Sequence, residues 1–337
     1  MTMFATPTAF LAALQGLPQP DQAARSAAIA RQGQLTKPPG SLGRLEDIAV
    51  FMAGWQGRER PRIDNARALI FAGNHGIVAR GVSAFPASVT AQMVSNFEHG
   101  GAAINALSTT AGLDLRIVAI DLDRPTDDFT DAPAMSVEDC LDAINLGAAA
   151  VAGSPDLVVL GEMGIGNTTT AAALCMASFG GSGRDWVGPG TGIDSEGMVR
   201  KIAVVEAGLA RHREAIGTPF EVLRRLGGRE LAAIAGAVVA ARLMGVPVVL
   251  DGFICCASVA PIAAACPDIL AHCLAGHVSA EPGHSRLLAS LALDPLLSLD
   301  MRLGEGSGAA VATLIVRAAL AAHDGMATFA EAGVATA

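Results

Sequence analysis

The most constraining feature of this chain is a regular alternation of short apolar runs with longer stretches of small, helix-forming residues. The runs Ala68–Ala72, Leu115–Ile120, Leu157–Leu160 and Pro247–Leu250 are rich in β-branched and large aliphatic residues. Each is followed at once by Gly or Asp, and Ala-rich segments fill the spaces between them. Strands that alternate with helices imply βαβ units, and such units form a parallel sheet covered by helices on both faces. In sheets of this kind ligands sit beyond the carboxyl ends of the strands. Two of the chemistry-bearing motifs described below, those beginning at Phe71 and Leu160, fall at the ends of these runs. Residues 3–15 and 308–323 are helical in pattern with no strand nearby. The expectation is therefore an α/β catalytic domain over residues 50–300 and a small helical domain built from both chain ends, 1–49 and 301–337.

Composition sharpens this picture. The 337 residues include 38 Gly and no Tyr, and 51% are hydrophobic, so helices must pack on the sheet through small side chains. The formal net charge is -9 and no long Lys/Arg run occurs, which excludes the basic footprint of nonspecific nucleic-acid binding. A mean hydropathy of +0.44 raises the question of a membrane span. A span needs about 18 consecutive apolar residues. Leu231–Leu250 is interrupted by Arg242 and Pro247, and Gly252–Cys266 is short and holds Pro261. No basic region precedes the N-terminal apolar stretch, so it does not have the form of a secretory signal. No membrane association and a cytoplasmic location are expected. None of the six cysteines forms a C-x-x-C pair, and most lie in apolar surroundings, as expected of free buried thiols.

Five segments carry chemistry. In the first, Leu160-Gly-Glu-Met-Gly-Ile-Gly-Asn-Thr-Thr-Thr170, a strand ends in a glycine loop and a helix begins near Thr168. Gly164 and Gly166 let the backbone approach a ligand, and a helix start favours an anion. This is a phosphate cradle by construction, though an ordinary βα turn with a threonine cap has the same pattern. It is neither a Walker loop nor the dinucleotide fingerprint. The second, Val187–Asp194, is another glycine-rich loop, with Lys201 seven residues further on. A lysine beside such a loop suits a phosphate, and equally a solvent-facing role.

The third segment runs from Phe71-Ala-Gly-Asn-His-Gly-Ile77 through Ser83, Phe85 and Pro86 to Gln92 and Met93. His75 fits a hydrogen-bonded turn better than a catalytic role, while Phe85, Gln92 and Met93 would suit a flat heterocycle or plain core packing. The fourth, Ser279-Ala-Glu-Pro-Gly-His284, sets a Glu and a His three apart without a third ligand, so no metal is expected there. The fifth, Leu299-Asp-Met-Arg-Leu-Gly-Glu-Gly-Ser-Gly308, places Glu305 between glycines just ahead of an apolar helix. Such an acid is favoured by the helix dipole, and the flanking glycines open it to a close-fitting ligand.

Taken in order, these segments resemble a family. Leu35-Thr-Lys-Pro-Pro-Gly-Ser-Leu-Gly-Arg-Leu-Glu46, Gly-Asn-His-Gly, Gly-Val-Ser with Pro86, Gly-Glu-Met-Gly-Ile-Gly-Asn-Thr-Thr, Asp251-Gly-Phe, Ser-Ala-Glu-Pro-Gly-His and Arg-Leu-Gly-Glu-Gly-Ser-Gly are similar to the motifs of nicotinate-nucleotide:dimethylbenzimidazole phosphoribosyltransferases, from about residue 35 to the C-terminus. Each motif alone is weak; the ordered set is specific. The resemblance implies a Rossmann-like parallel sheet flanked by helices, a homodimer, and transfer of phosphoribose from nicotinate mononucleotide to 5,6-dimethylbenzimidazole, the reaction that builds the lower nucleotide of cobalamin.

The resemblance also implies roles. Glu305 matches the catalytic base and Glu162 the second acid of the site. Gly164, Ile165, Gly166, Asn167, Thr168, Lys201, Ser279 and Gly304 fall where the nucleotide and its phosphate are held. Ser83, Phe85, Gln92, Met93, Met163 and Leu303 fall in the region lining the base pocket. One departure is visible: Asn74 stands where the family turn usually has Asp, which keeps the turn chemistry but removes a charge.

The implied chemistry suits these residue types. The leaving group is a pyridinium and departs without a general acid. The attacking imidazole must lose one proton, and a carboxylate can take it, worth about 10²–10⁴-fold. The donor carries a monophosphate rather than a pyrophosphate, so neither a metal nor another cofactor is expected. Two other classes compete. An NAD(P)-dependent oxidoreductase lacks the expected glycine fingerprint and the acid about 20 residues beyond it. A noncatalytic benzimidazole- or nucleotide-binding module does not explain the presence of both Glu162 and Glu305. A pyrophosphate-donor phosphoribosyltransferase would need a paired-acid strand end that is not found. Which base is preferred is not legible.

Overall fold

The computed structural model of the chain describes residues 2–190 and 192–335. Six strands form one sheet: β1 (Ala66–Ala72), β2 (Asp114–Ala119), β3 (Leu157–Met163), β4 (Val248–Leu250), β5 (Cys273–Val278) and β6 (Pro295–Ser298). The order across the sheet is β2-β1-β3-β4-β5-β6, and every pairing is parallel. The four runs singled out in the sequence are β1 to β4. The expected α/β class with a parallel sheet flanked by helices is what the chain adopts. β5 and β6, broken by polar and proline residues, were not anticipated.

Strand alternation divides the core in two. Leu69, Phe71, Val158, Leu160, Val248 and Leu250 point to one face. That face is covered by the helices Val137–Ala150, Asn167–Phe179, Arg229–Met244 and Phe253–Ala265. Ala68, Ile70, Val159 and Val249 point to the other, under Ala309, Ala310, Ala312 and Val316 of the helix Ser307–Gly325. The high glycine and alanine content is spent on close packing. A methyl on Gly236 would stand 2.0 Å from the carbonyl oxygen of Ile144, so the helices that carry them touch backbone to backbone.

The two chain ends meet. Leu35 bridges Thr328, and Arg31 donates to the carbonyls of His323, Asp324 and Met326. The helix Ser307–Gly325 also covers the sheet directly, so the C-terminal end contributes to the central core. Lys37 of the Lys-Pro-Pro-Gly turn is buried in an ion pair with Glu46 at 2.7 Å. All six cysteines are free, and five are buried. Among the described residues no helix is long and apolar enough to cross a membrane.

The strand order places the crevice. After β1 the chain moves outward to β2, then returns to the other side of β1 as β3. The connections leaving β1 and β3 diverge, and a ligand-sized crevice opens beyond their carboxyl ends. There Gly73 donates its N–H to the carbonyl of Met163, tying the two strand ends together at 3.0 Å.

Candidate active site

Two adjoining cavities occupy this crevice and share Gly164, Ile165, Asn167, Thr168 and Gly190. The larger has an empty volume of about 640 Å³, including the part open to solvent. Its walls combine apolar side chains, Met163, Phe253, Ile254 and Leu303, with Glu162, Glu281 and Arg302. The smaller is lined by Ser83, Gly166, Pro189, Ile193 and Lys201.

The smaller lobe has the physics of an anion site. Gly166, at φ 94°, turns the chain into the helix Asn167–Phe179, whose N-terminal dipole end faces the lobe. Lys201, 1% exposed, donates from Nζ to Thr168 Oγ1 at 2.7 Å and to the Gly188 carbonyl at 3.0 Å. Burial lowers its pKa to about 8, against the opposing pull of Glu281. Of the loop residues expected to cradle phosphate, Ile165 has its N–H already taken by Thr90 Oγ1 at 3.1 Å. Thr191 of the second glycine loop lies outside the described residues.

The larger lobe concentrates acids. Glu162, the penultimate residue of β3, is buried and accepts from Asn167 Nδ2. Its pKa rises to about 8, first because of burial and then because of the charges of Asp251, Glu230 and Glu305. Glu305 is 6% exposed, and its carboxylate accepts no hydrogen bond among the described residues. Burial and the Asp251 charge raise its pKa to about 7. Glu305 is not itself on the cavity wall; its neighbour Gly304 is. The turn is tight. Gly304, Glu305 and Gly306 all have positive φ, at 81°, 62° and 77°. A Cβ on Gly304 would stand 2.6 Å from Glu162 Oε1, so glycine is what lets the turn lie against that acid.

Asp251, directly after β4, holds this turn. It accepts the N–H groups of Gly306 at 3.1 Å and Ala309 at 2.8 Å, capping the helix Ser307–Gly325. Burial raises its pKa, opposed by His277 and by those backbone donors. Sequence reasoning assigned Asp251 no role, although an acid immediately beyond a strand end was a usable signal. Glu230 left no such trace, lying in the first turn of a largely apolar helix beside Arg229. It receives His75 Nε2 at 2.6 Å, and His75 Nδ1 meets Thr170 Oγ1 at 3.2 Å, so the turn histidine is fully engaged within the protein. Asn74 donates to the Leu122 carbonyl at 2.9 Å.

The remaining expectations divide. Ser279 and Met163 line the larger cavity, as does Leu303, which is 57% exposed at its rim. Ser83 lines the smaller. Phe85 and Gln92 are exposed and line neither cavity, and Met93 packs toward the sheet core instead. His284 Nδ1 accepts the Ser279 N–H at 2.8 Å, and burial lowers its pKa to about 3, so the ring is neutral and shapes the loop. Among the described residues no group of three or more side chains is arranged to hold a metal.

Comparison with known proteins gives a consistent set of relatives. A phosphoribosyltransferase family model matches residues 17–334. The nicotinate-nucleotide–dimethylbenzimidazole phosphoribosyltransferase of Novosphingobium aromaticivorans is 67% identical over 335 residues, 99% of each chain. Its namesake from Ruegeria pomeroyi is 58% identical over 321 residues, 95% of each chain. The crystal structure of the enzyme of that name from Thermus thermophilus superposes with a TM-score of 0.87 at 40% identity, covering 94% of this chain and 100% of that one.

Proposed function

The chain belongs to the nicotinate-nucleotide–dimethylbenzimidazole phosphoribosyltransferase family, and from that premise we propose how its own residues carry out the transfer. The enzyme moves the phosphoribosyl group of nicotinate mononucleotide to 5,6-dimethylbenzimidazole, giving α-ribazole 5′-phosphate and nicotinate for the nucleotide loop of cobalamin. The donor phosphate sits in the smaller lobe, against the helix start at Asn167 and the ammonium of Lys201. The ribose then spans into the larger lobe, where Met163, Phe253, Ile254 and Leu303 offer apolar surface to flat rings.

One imidazole nitrogen of the acceptor attacks C1′, and the pyridinium nitrogen takes the bonding pair and leaves as nicotinate. The other imidazole nitrogen gives its proton to Glu305. The observation that carries this assignment is geometric: the carboxylate of Glu305, set between two glycines of a tight turn, accepts no hydrogen bond among the described residues, whereas that of Glu162 is held by Asn167 Nδ2. Burial raises both acids, Glu305 to about 7 and Glu162 to about 8, which brings both near the working pH. A base whose pKa lies near the working pH is the effective one. Positive charge developing on the ribose favours the ionised form of Glu162. Neither step calls on a metal. A small helical domain where the chain ends meet, apart from the sheet-covering face of Ser307–Gly325, a homodimer and a cytoplasmic location complete the proposal, by analogy with the family.

The test is product formation from the two substrates, without metal and with EDTA. Release of nicotinate together with ribazole phosphate supports the reading. Inactivity with this pair overturns it, and activity lost to EDTA and restored by Mg²⁺ overturns the metal-free mechanism. A monomer mass by light scattering would remove the dimer.

A further inference from the structure

The donor of this reaction carries two anionic groups, a phosphate and the carboxylate on its pyridine ring. Besides the histidine His277, the joined cavities hold two cationic side chains, Lys201 in the smaller lobe and Arg302 at the rim of the larger. Resting on the reaction proposed above, we infer that Arg302 pairs with the carboxylate of the leaving nicotinate ring and thereby selects an acid donor over its amide counterpart.

Four observations carry this. First, Lys201 is committed by position. It is buried beside the helix start at Asn167, with two of its three donors already on Thr168 and Gly188. Second, Arg302 is uncommitted. Among the described residues it forms no ion pair, and its one hydrogen bond is a long contact from Nη1 to the Gly190 carbonyl at 3.4 Å. It is exposed at the rim, and its remaining donors form the planar fork that matches a carboxylate.

Third, the rest of the larger lobe presents acids, not donors built for a carboxylate. Glu162 and Glu281 are on its wall, Glu305 and Asp251 are behind it, and Glu281 has an oxygen buried without a hydrogen-bond partner. The carboxylate of the zwitterionic nicotinate ring therefore needs a cation beside it, whereas the uncharged amide of a nicotinamide ring, whose pyridinium the acids favour, does not. Fourth, Gly190 stands between the two cations. A Cβ on it would lie 3.5 Å from Lys201 Nζ, while its carbonyl faces Arg302. A single ligand can thus touch both. Arg302 is also three residues before Glu305 on the same turn, so seating the leaving ring on Arg302 and placing the base are coupled.

A site built to pair a charged group rejects the analogue that lacks it. The experiment compares nicotinate mononucleotide with nicotinamide mononucleotide as donors to dimethylbenzimidazole, for wild type, Arg302→Met, Arg302→Lys and Lys201→Met, together with calorimetric binding of free nicotinate. The expected result is a wild-type preference for the acid donor that falls on the order of 10- to 100-fold in Arg302→Met, mostly through KM. Arg302→Lys should recover part of it, and nicotinate binding should weaken in parallel. Lys201→Met should slow both donors alike and leave their ratio in place. Arg302→Met retaining the wild-type ratio and nicotinate affinity would overturn the inference, as would collapse of the ratio in Lys201→Met instead. Wild type turning over neither donor would overturn the transferase reading beneath it. Because Arg302 is exposed, folding of its variants is checked simply by their melting temperature.

Discussion

Replacing Glu305 by Gln removes one ionisable oxygen and little else. The carboxylate accepts no hydrogen bond within the protein, and Gln is no worse than Glu at the positive φ of 62°. The fold should therefore be retained and the loss should be chemical. A positioned general base is worth about 10²–10⁴-fold, so kcat should fall by roughly that factor while donor KM changes little. The pH dependence supplies a second, independent signature. Burial and the Asp251 charge raise Glu305 to about 7. The active form is the ionised one, so kcat/KM in the wild type should rise with pH through that value. From pH 7 to pH 6 the ionised fraction falls about five-fold, and below that the rate should drop about ten-fold per unit. In the variant this limb should vanish, leaving a low and flat profile. The assay is chromatographic release of nicotinate and ribazole phosphate over roughly pH 5.5 to 8.5. A variant within about three-fold of wild type, or one that keeps the same acid limb, would refute the assignment and make Glu162 the residue to test next.

Glu162 makes a prediction about stability. Its folded pKa of about 8 lies above the ordinary 4.5, so the native state binds the extra proton between those values. Stability is then full below about pH 4.5 and falls as pH rises toward 8, by on the order of a few kcal/mol. Glu162→Gln should raise the melting temperature by several degrees near pH 8.5 and hardly at all near pH 5, while impairing turnover; an equal shift at both would contradict the buried-charge account. Gly161→Ala puts a methyl 2.4 Å from the amide nitrogen of Gly306, where backbone meets backbone. It should cost about 1–3 kcal/mol and lower kcat by displacing Glu305, and an unchanged melting temperature would count against that close approach. Asp251→Asn weakens the cap on Gly306 and Ala309 and removes a charge beside Glu305. Stability should drop by about 1–3 kcal/mol, and the acid limb of the rate profile should move to lower pH; a limb that moves up would be the wrong sign.

The parts of this protein legible in the sequence are those that local chemistry fixes. A run such as Leu157–Leu160 is short, apolar and bounded by Asp156 and Gly161, and its alternation with Ala-rich stretches made the parallel sheet readable from the chain. Glycines flanking Glu305 and preceding Asn167 mark turns that no other residue enters cheaply, so both loops of the site were readable as well. Their ordered combination identified the family. β5 and β6 were not readable, because the polar His277 and the proline at the start of β6 mask strands that gain their stability from neighbours.

Tertiary structure alone decided which side chains share an environment. Phe85 and Gln92 lie close in sequence to Ser83, yet only Ser83 reaches a cavity wall, since the fold leaves the other two facing solvent. Asp251, Glu230 and Glu305 are far apart in the chain and belong to three different elements, yet all act on Glu162. The upward shifts of Glu162 and Glu305 arise from burial and from charges brought close by folding. A sequence specifies that a carboxylate is present; its pKa depends on how much water the fold removes and which other charges it brings near.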